Sequence, residues 1–429
     1  MTLQEAIDYI NDFTWSTSRP GLERTEELLR RVGDPQKRLK FVHVAGTNGK
    51  GSTCAMLECI LRNAGYRTGF YPSPFIEDFR ERIQVNGEYI SEEALTRITE
   101  TVSREADAME DHPSQFELIT AIGMLYFEQT HCDIVVMEVG MGGSLDSTNV
   151  IDPPEAAVIT NIGLDHTEYL GNTIEEIAAA KAGIIKAGTR AVCYAEVPSV
   201  LEVLKNDCAK KNVPLRIAGE CTELEHDLDG QRFVYKGEEY RLSLLGTHQL
   251  NNAAVVLETI ETLKERGYSI SREAVLKGLE EVRWPARFEV LSKEPLFVLD
   301  GGHNPQCAEA LVSSIREYIA EPEKGEKVTF LIGMLADKDY RSTLELIRPF
   351  GGCYVCITPD SPRALAGSEL AAVIEDMYEQ DGEMIPVTFR DNVGDAITAA
   401  VETGLPVVAF GSLYSAGEIR RTFRNSRWA

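Results

Sequence analysis

Residues 42–53 read VHVAGTNGKGST: the end of an apolar strand, a glycine-rich turn and the opening of a helix. The turn is a shortened relative of the usual nucleotide phosphate loop, which leaves four residues between its first glycine and its Gly-Lys pair. Here only Thr47 and Asn48 separate Gly46 from Gly49, and Gly51 stands between Lys50 and Ser52. A strand followed by a glycine turn and a helix start points backbone N–H groups and the positive helix end at an anion. Thr47, Asn48, Gly49, Gly51 and Ser52 are therefore candidate ATP phosphate-binding positions, with Lys50 as a point charge for a β- or γ-phosphate. The bland alternative is a solvated lysine on a glycine turn. The strand before the turn and the helix after it favour phosphate.

Working outward, the 429 residues exceed one ordinary core and predict two domains. Lys and Arg number 43 against 68 Asp and Glu, a net charge of −25. That balance disfavours nucleic-acid and anionic-membrane partners, whose binding needs cations to neutralise phosphates. No apolar run reaches the roughly 18 residues of a membrane span, and the acidic, helix-patterned start MTLQEAIDYINDF lacks a signal-peptide form. Nine scattered cysteines predict reduced thiols and a cytoplasmic protein. The lone CxxC, Cys353 and Cys356, lies in an apolar run and reads as core.

Val-, Ile- and Phe-rich segments alternate with helical patterns, which predicts parallel α/β architecture. Strands are expected at Leu39–Ala45, Asp133–Val139 and Ala157–Asn161, each ending in a turn of the kind that binds ligands in open α/β sheets. A helix closed by Gly65 and another capped by Thr173 and Glu176 are expected between strands. Residues 214–245 read as a small antiparallel annex, and 248–264 as helix. A second series of strand-to-loop units starts near Pro295, with the boundary in SKEP, 292–295. The expected fold is α/β: a P-loop nucleotide-binding domain with the annex over 1–294, then a C-terminal Rossmann-like α/β domain over 295–429. Strand-end loops of both are expected to face one cleft.

Other chemistry-bearing residues fall at these strand ends. Glu138 closes DIVVMEVGMGG, and a strand glutamate is expensive to bury without a partner, which points to Mg²⁺. Asp165 and His166 follow the next strand and are candidates for the metal or phosphate site. Lys181 sits among alanines in IAAAKAGII; such surroundings lower an amine's pKa, yet the pattern alone favours a lysine reaching solvent. In the second domain Asp300 and His303 lie on a Gly-Gly turn, and Arg287 in WPARFE precedes them as a candidate phosphate contact.

Together these stretches resemble the folylpolyglutamate synthase / dihydrofolate synthase family of the Mur ligase superfamily. HVAGTNGKGST, SPFIEDFRERI, FELITA, MEVGMGGSLDSTNV, GLDHTEYLGNTIEEIA, KAGIIK, HQLNNAA, WPARFE, DGGHNP, GMLADKDY and GSLY occur in family order from about residue 40 to 415. The resemblance implies ATP-dependent amide formation through an acyl phosphate, with reduced folate, L-glutamate and ATP as substrates. It implies Mg²⁺, at two sites, with Ser73, Glu138 and His166 as ligands. Arg287 and Asp300 would contact ATP, Asn252 would lie near the nucleotide and His303 near the acyl phosphate. Lys181 aligns with a family lysine that is carbamylated and helps hold the second Mg²⁺, which reverses the pattern-only reading. Lys50, Lys181 and His303 are the implied catalytic residues. The loop with Ser73, Pro74 and Phe75 is implied to bind folate; Phe75 replaces the more common His, and Ala180 stands where many relatives carry Glu.

The main reading is therefore a folylpolyglutamate synthase acting as a monomer. A close variant also joins dihydropteroate to glutamate. A cell-wall Mur ligase normally carries an extra N-terminal domain, and only about 40 residues precede the loop here. An NTPase switch would need neither Lys181 nor DGGHNP.

Overall fold

The computed structural model describes residues 1–13, 21–194 and 196–429. The chain divides into two compact units. The first comprises Met1–Thr222, Phe233–Arg241 and Asn251–Val282; the second comprises Glu223–Arg232, Leu242–Leu250 and Arg283–Ala429.

Eight strands build the first sheet: β1 (Phe41–Ala45), β2 (Thr68–Tyr71), β3 (Gln84–Val85), β4 (Glu88–Tyr89), β5 (Ile134–Glu138), β6 (Ala156–Ile159), β7 (Ala191–Cys193) and β8 (Leu215–Ile217). Their order is β4-β3-β2-β5-β1-β6-β7-β8. The run from β2 to β8 is parallel, and β3 and β4 turn back antiparallel at one edge. β1 and β5 are buried at every residue, as expected of parallel strands covered by helices on both faces. Chain order places β5 on one side of β1 and β6 on the other, so their carboxyl ends open on the region where such sheets bind ligands.

The helix after β1, Lys50–Asn63, buries ten consecutive residues from Ser52 to Leu61. Gly65, two residues past its end, has φ +90°, a left-handed helix stop that suits glycine. Ile174–Lys181 starts at the capping box expected from sequence: the Thr173 hydroxyl accepts from the Glu176 N–H, and Glu176 accepts from Thr173.

One expectation is corrected. Leu215–Ile217, read as part of the antiparallel annex, is the eighth strand of the main sheet and pairs parallel with β7. Parallel pairing of a three-residue strand is a long-range event that local alternation does not encode. The remainder of that stretch forms a separate three-stranded sheet of β9 (Thr222–Asp227), β10 (Gly230–Tyr235) and β11 (Glu238–Leu242).

In the second unit, β12 (Glu289–Lys293), β13 (Leu296–Leu299), β14 (Val328–Ile332), β15 (Gly351–Cys356), β16 (Val387–Phe389) and β17 (Val407–Phe410) are ordered β12-β13-β17-β14-β15-β16. All are parallel except β12, which runs antiparallel to β13. Residues 292–295, the sequence-derived boundary, thus lie in and just after β12, while this unit takes up the chain at Arg283. Cys353 and Cys356 are buried on β15, and all nine cysteines are thiols outside any disulfide. Among the described residues no helix is long and apolar enough to cross a membrane.

Candidate active site

The first unit gathers its reactive side chains at the carboxyl ends of four adjacent strands, β2, β5, β1 and β6. Beyond β1, the loop is pinned to the turn after β6. Thr47 N–H donates to the Asn161 carbonyl at 2.7 Å, and the Thr47 hydroxyl bridges the Gly163 carbonyl and N–H at 3.0 Å each. Two glycines are required by this arrangement. A Cβ at Gly46 would overlap the Thr160 hydroxyl, and Gly49 has φ +85° with Asn252 where its Cβ would stand. Asn252 is thereby placed against the loop, on the helix Thr247–Glu265. Ser52 is buried in the first turn of the following helix.

Lys50 folds over the loop, its ammonium donating to the carbonyls of Gly46 at 3.1 Å and Thr47 at 3.0 Å. Lys181 reaches the same Gly46 carbonyl at 2.8 Å. Lys181 is only 4% exposed, so the expectation from pattern alone, a lysine extended to solvent, is overturned. Its helix is too closely covered for that: Ser144 N–H donates to the Ala180 carbonyl, bringing the MGGS turn against the helix end. Burial, with the Lys50 charge adding to it, brings the Lys181 amine down to about 7, against smaller opposing effects of Asp165 and Asp146. An amine there is substantially neutral near pH 7, the form that combines with CO₂.

Glu138 ends β5 and is 4% exposed. Its carboxylate accepts the Ser73 backbone N–H at 3.1 Å, which joins the loop after β2 to the end of β5. Pro74 and Phe75 continue that loop as exposed residues, and Phe75 meets Phe79 edge-on at 5.7 Å between ring centroids. His166 caps a short helix, Thr167–Leu170, with φ +49°. Its side chain is 45% exposed and its Nε2 lies 3.9 Å from Asp165. The structure therefore brings Ser73 to Glu138 and Lys50 to Lys181, and sets His166 in the segment that follows β6, at the start of the helix Thr167–Leu170. Among the described residues, three His, Cys, Asp or Glu donors converge on one point at Glu223, His226 and Glu317 of the second unit.

Sequence reading missed one group in the first unit. Asp146 is buried and accepts from Met141 N–H at 2.8 Å, Thr148 N–H at 3.0 Å and the Thr148 hydroxyl at 2.5 Å. Burial raises its pKa against those donors. Because the Thr148 hydroxyl donates to Asp146, it accepts from His43 Nε2 at 2.8 Å, which fixes the His43 tautomer. The stretch SLDSTNV held the signal: Asp and Thr two apart, after a glycine turn, form a side-chain-closed turn.

In the second unit, Asp300 directly follows β13 and accepts from Gly302 N–H at 2.7 Å and Phe288 N–H at 2.8 Å. The Arg287 guanidinium donates to the Ala286 carbonyl at 2.9 Å. Ala286 and Phe288, on either side of it, hold φ of +54° and +45°, which is strained for side chains of their kind. Asp300 and Arg287 both act on His248, another residue missed by sequence reading: burial lowers its pKa, Asp300 opposes this and Arg287 adds to it. His303 follows on the same turn, its Nδ1 3.3 Å from the Gly301 carbonyl, and Asn304 caps the next helix.

Comparisons with known proteins show the family. The Mur ligase middle domain matches residues 44–260, and the Mur ligase glutamate ligase domain matches residues 286–413. A Bacillus subtilis dihydrofolate synthase/folylpolyglutamate synthase is 35% identical over 98% of this chain and 99% of its own. A folylpolyglutamate synthase from Thermotoga maritima superposes with a TM-score of 0.86 at 34% identity, covering 99% of this chain and 97% of that one. A solved folylpolyglutamate synthase complex with AMPPCP and folate superposes with a TM-score of 0.84 at 30% identity, covering 99% and 100%. The chain belongs to the folylpolyglutamate synthase / dihydrofolate synthase family of Mur ligases.

Proposed function

We propose that this protein is an ATP-dependent ligase that adds L-glutamate to the γ-carboxylate of a reduced folate. The observation that carries the reading is the convergence of Lys50 and Lys181 on the Gly46 carbonyl of a phosphate loop, among the same strand ends as Glu138. The folate carboxylate oxygen attacks the γ-phosphorus of ATP and ADP leaves. The glutamate amine then attacks the acyl carbon, loses a proton and expels phosphate. Such chemistry needs positioned charge more than covalent help from the protein. Lys50 and the N–H groups of Asn48, Gly49, Gly51 and Ser52 hold phosphate oxygens, while Thr47, whose own N–H is taken by the Asn161 carbonyl, ties the loop to the turn after β6. Asn252, Arg287 and Asp300 serve the nucleotide, His303 serves the acyl phosphate, and Ser73, Pro74 and Phe75 serve the folate.

The donor set fits Mg²⁺: a buried carboxylate, Glu138, already aligned by Ser73, with a hydroxyl at Ser73 and an imidazole at His166. A carbamate on Lys181 would add carboxylate oxygens for a second ion. Bound there, Mg²⁺ supplies charge neutralisation for the transferring phosphoryl group.

A second reading, that the same site also joins dihydropteroate to glutamate, is favoured by the double name of the B. subtilis relative. The test is incubation with ATP, Mg²⁺, labelled glutamate and either tetrahydrofolate or dihydropteroate. The expected outcome is labelled folate with stoichiometric ADP. ATP hydrolysis with no glutamate entering any folate or pteroate would overturn the proposal.

A further inference from the structure

Arg82 is a buried cation to which the ligase chemistry above gives no task. It ends the short turn Phe79–Arg82 just before β3 and is 6% exposed. Among the described residues no carboxylate lies within ion-pair distance of it, and its enclosed Nε has no hydrogen-bond partner. The acids beside it in sequence are committed elsewhere. Glu81 accepts the N–H groups of Ile76, Glu77 and Asp78 at 2.7–2.9 Å, and Asp78 takes both Nε and Nη2 of Arg80. Arg82 is left against aromatic faces, with its guanidinium carbon 5.5 Å from the Phe116 ring centroid and 5.9 Å from that of Phe79.

Burial lowers its pKa, with Tyr71 and then Glu138 acting in the opposite direction, and a guanidinium stays protonated throughout. An enclosed charge is costly unless paired. Two ring faces offset only part of that cost. The remainder is the signature of a group kept ready for an anion, and the planar fork of arginine matches a carboxylate. Phe116 also abuts Gly140, where a Cβ would meet its ring at 2.6 Å, two residues beyond Glu138. Arg82 thus belongs to the β2–β5 side of the site, with Ser73–Phe75, while the phosphate loop follows β1 on the other side of β5. On the reading above Ser73–Phe75 serve the acceptor, so an anion met by Arg82 would be the acceptor's rather than the nucleotide's.

We propose that Arg82, presented by the Phe79 and Phe116 rings on the β2–β5 side of the site, binds a carboxylate of the acceptor substrate. This rests on the ligase reading above. It is tested on the full chain with Arg82→Met, which keeps bulk and removes charge, and Arg82→Lys, which keeps charge and removes the fork. KM values for tetrahydrofolate, ATP and glutamate are measured alongside equilibrium binding of tetrahydrofolate by fluorescence quenching. Arg82→Met is expected to weaken tetrahydrofolate roughly ten- to hundred-fold in both KM and binding, the loss typical of a charge-assisted pair. ATP and glutamate KM values stay within about twofold, and Arg82→Lys falls between. Dihydropteroate, with a single carboxylate, separates two sources. Parallel weakening of both acceptors assigns Arg82 to the reacting carboxylate, and weakening of tetrahydrofolate alone assigns it to the α-carboxylate of the tail. A lower melting temperature with tetrahydrofolate binding unchanged in the folded variant overturns the proposal, as does an equal rise in all three KM values. If Arg82→Met does not fold, the same measurements on Arg82→Lys decide between these outcomes. Wild-type binding of tetrahydrofolate without ligation would instead count against the ligase reading and leave the Arg82 comparison intact.

Discussion

Lys181 holds its amine near 7 because helix and loop backbone cover it and Lys50 stands beside it. Below pH 7 the amine is charged and takes up no CO₂, so activation by bicarbonate is expected at pH 8 and lost by pH 6. Turnover after bicarbonate preincubation at the two pH values checks this. Lys181→Ala is expected to lose most turnover and to regain part of it with short carboxylic acids; full activity without them would exclude the carbamate role. The same shift has a stability consequence. The folded pKa lies below the unfolded value of about 10.5, so between pH 7 and 10.5 the unfolded chain binds the extra proton and this group's contribution to stability rises with pH. At Gly49, φ is +85° and Asn252 fills the space a Cβ needs. Gly49→Ala is expected to cost about 1 kcal/mol or more and to raise the KM for ATP, read by thermal melting and by kinetics.

At the scale of elements, the helix Ile174–Lys181 has only eight residues, too few to be stable alone, so its cap matters. Thr173→Ala removes the hydroxyl that accepts from Glu176 N–H and is expected to cost about 1 kcal/mol. Because the far end of the same helix carries Lys181, the variant should also need more bicarbonate for half-maximal activity. A melting curve and a bicarbonate titration together check it; a lower melting temperature alone would mean the cap supports the fold without supporting the lysine. This cap was legible in sequence as NTIEEIAAAK, since a capping box is local chemistry. The strand Leu215–Ile217 was not, because three residues with little pattern acquire their partner, β7, only once the sheet assembles.

For the whole molecule, a ligand that binds only the folded state raises stability by mass action. AMPPCP with Mg²⁺ at about 100 times its dissociation constant should add roughly 2.7 kcal/mol, visible as a higher melting temperature. Gly49→Ala should show little of that rise at the same concentration, which separates loss of nucleotide binding from general destabilisation. The net charge of −25 sets the background for this binding: anionic substrates enter an acidic protein through locally placed cations, Lys50 among them, rather than through its overall field.

The sequence by itself determined the parallel α/β class, the shortened phosphate loop between β1 and its helix, and the strand ends that carry Glu138, His166, Asp300 and His303. Those features follow from local rules, because apolar runs, glycine turns and capping residues act over a few positions. Only the tertiary structure decided the state of Lys181, the His43–Thr148–Asp146 chain and the unpaired burial of Arg82. Burial and charge environment depend on which distant segments cover a side chain, and an alanine-flanked lysine reads the same in sequence whether helix and loop close over it or leave it in water.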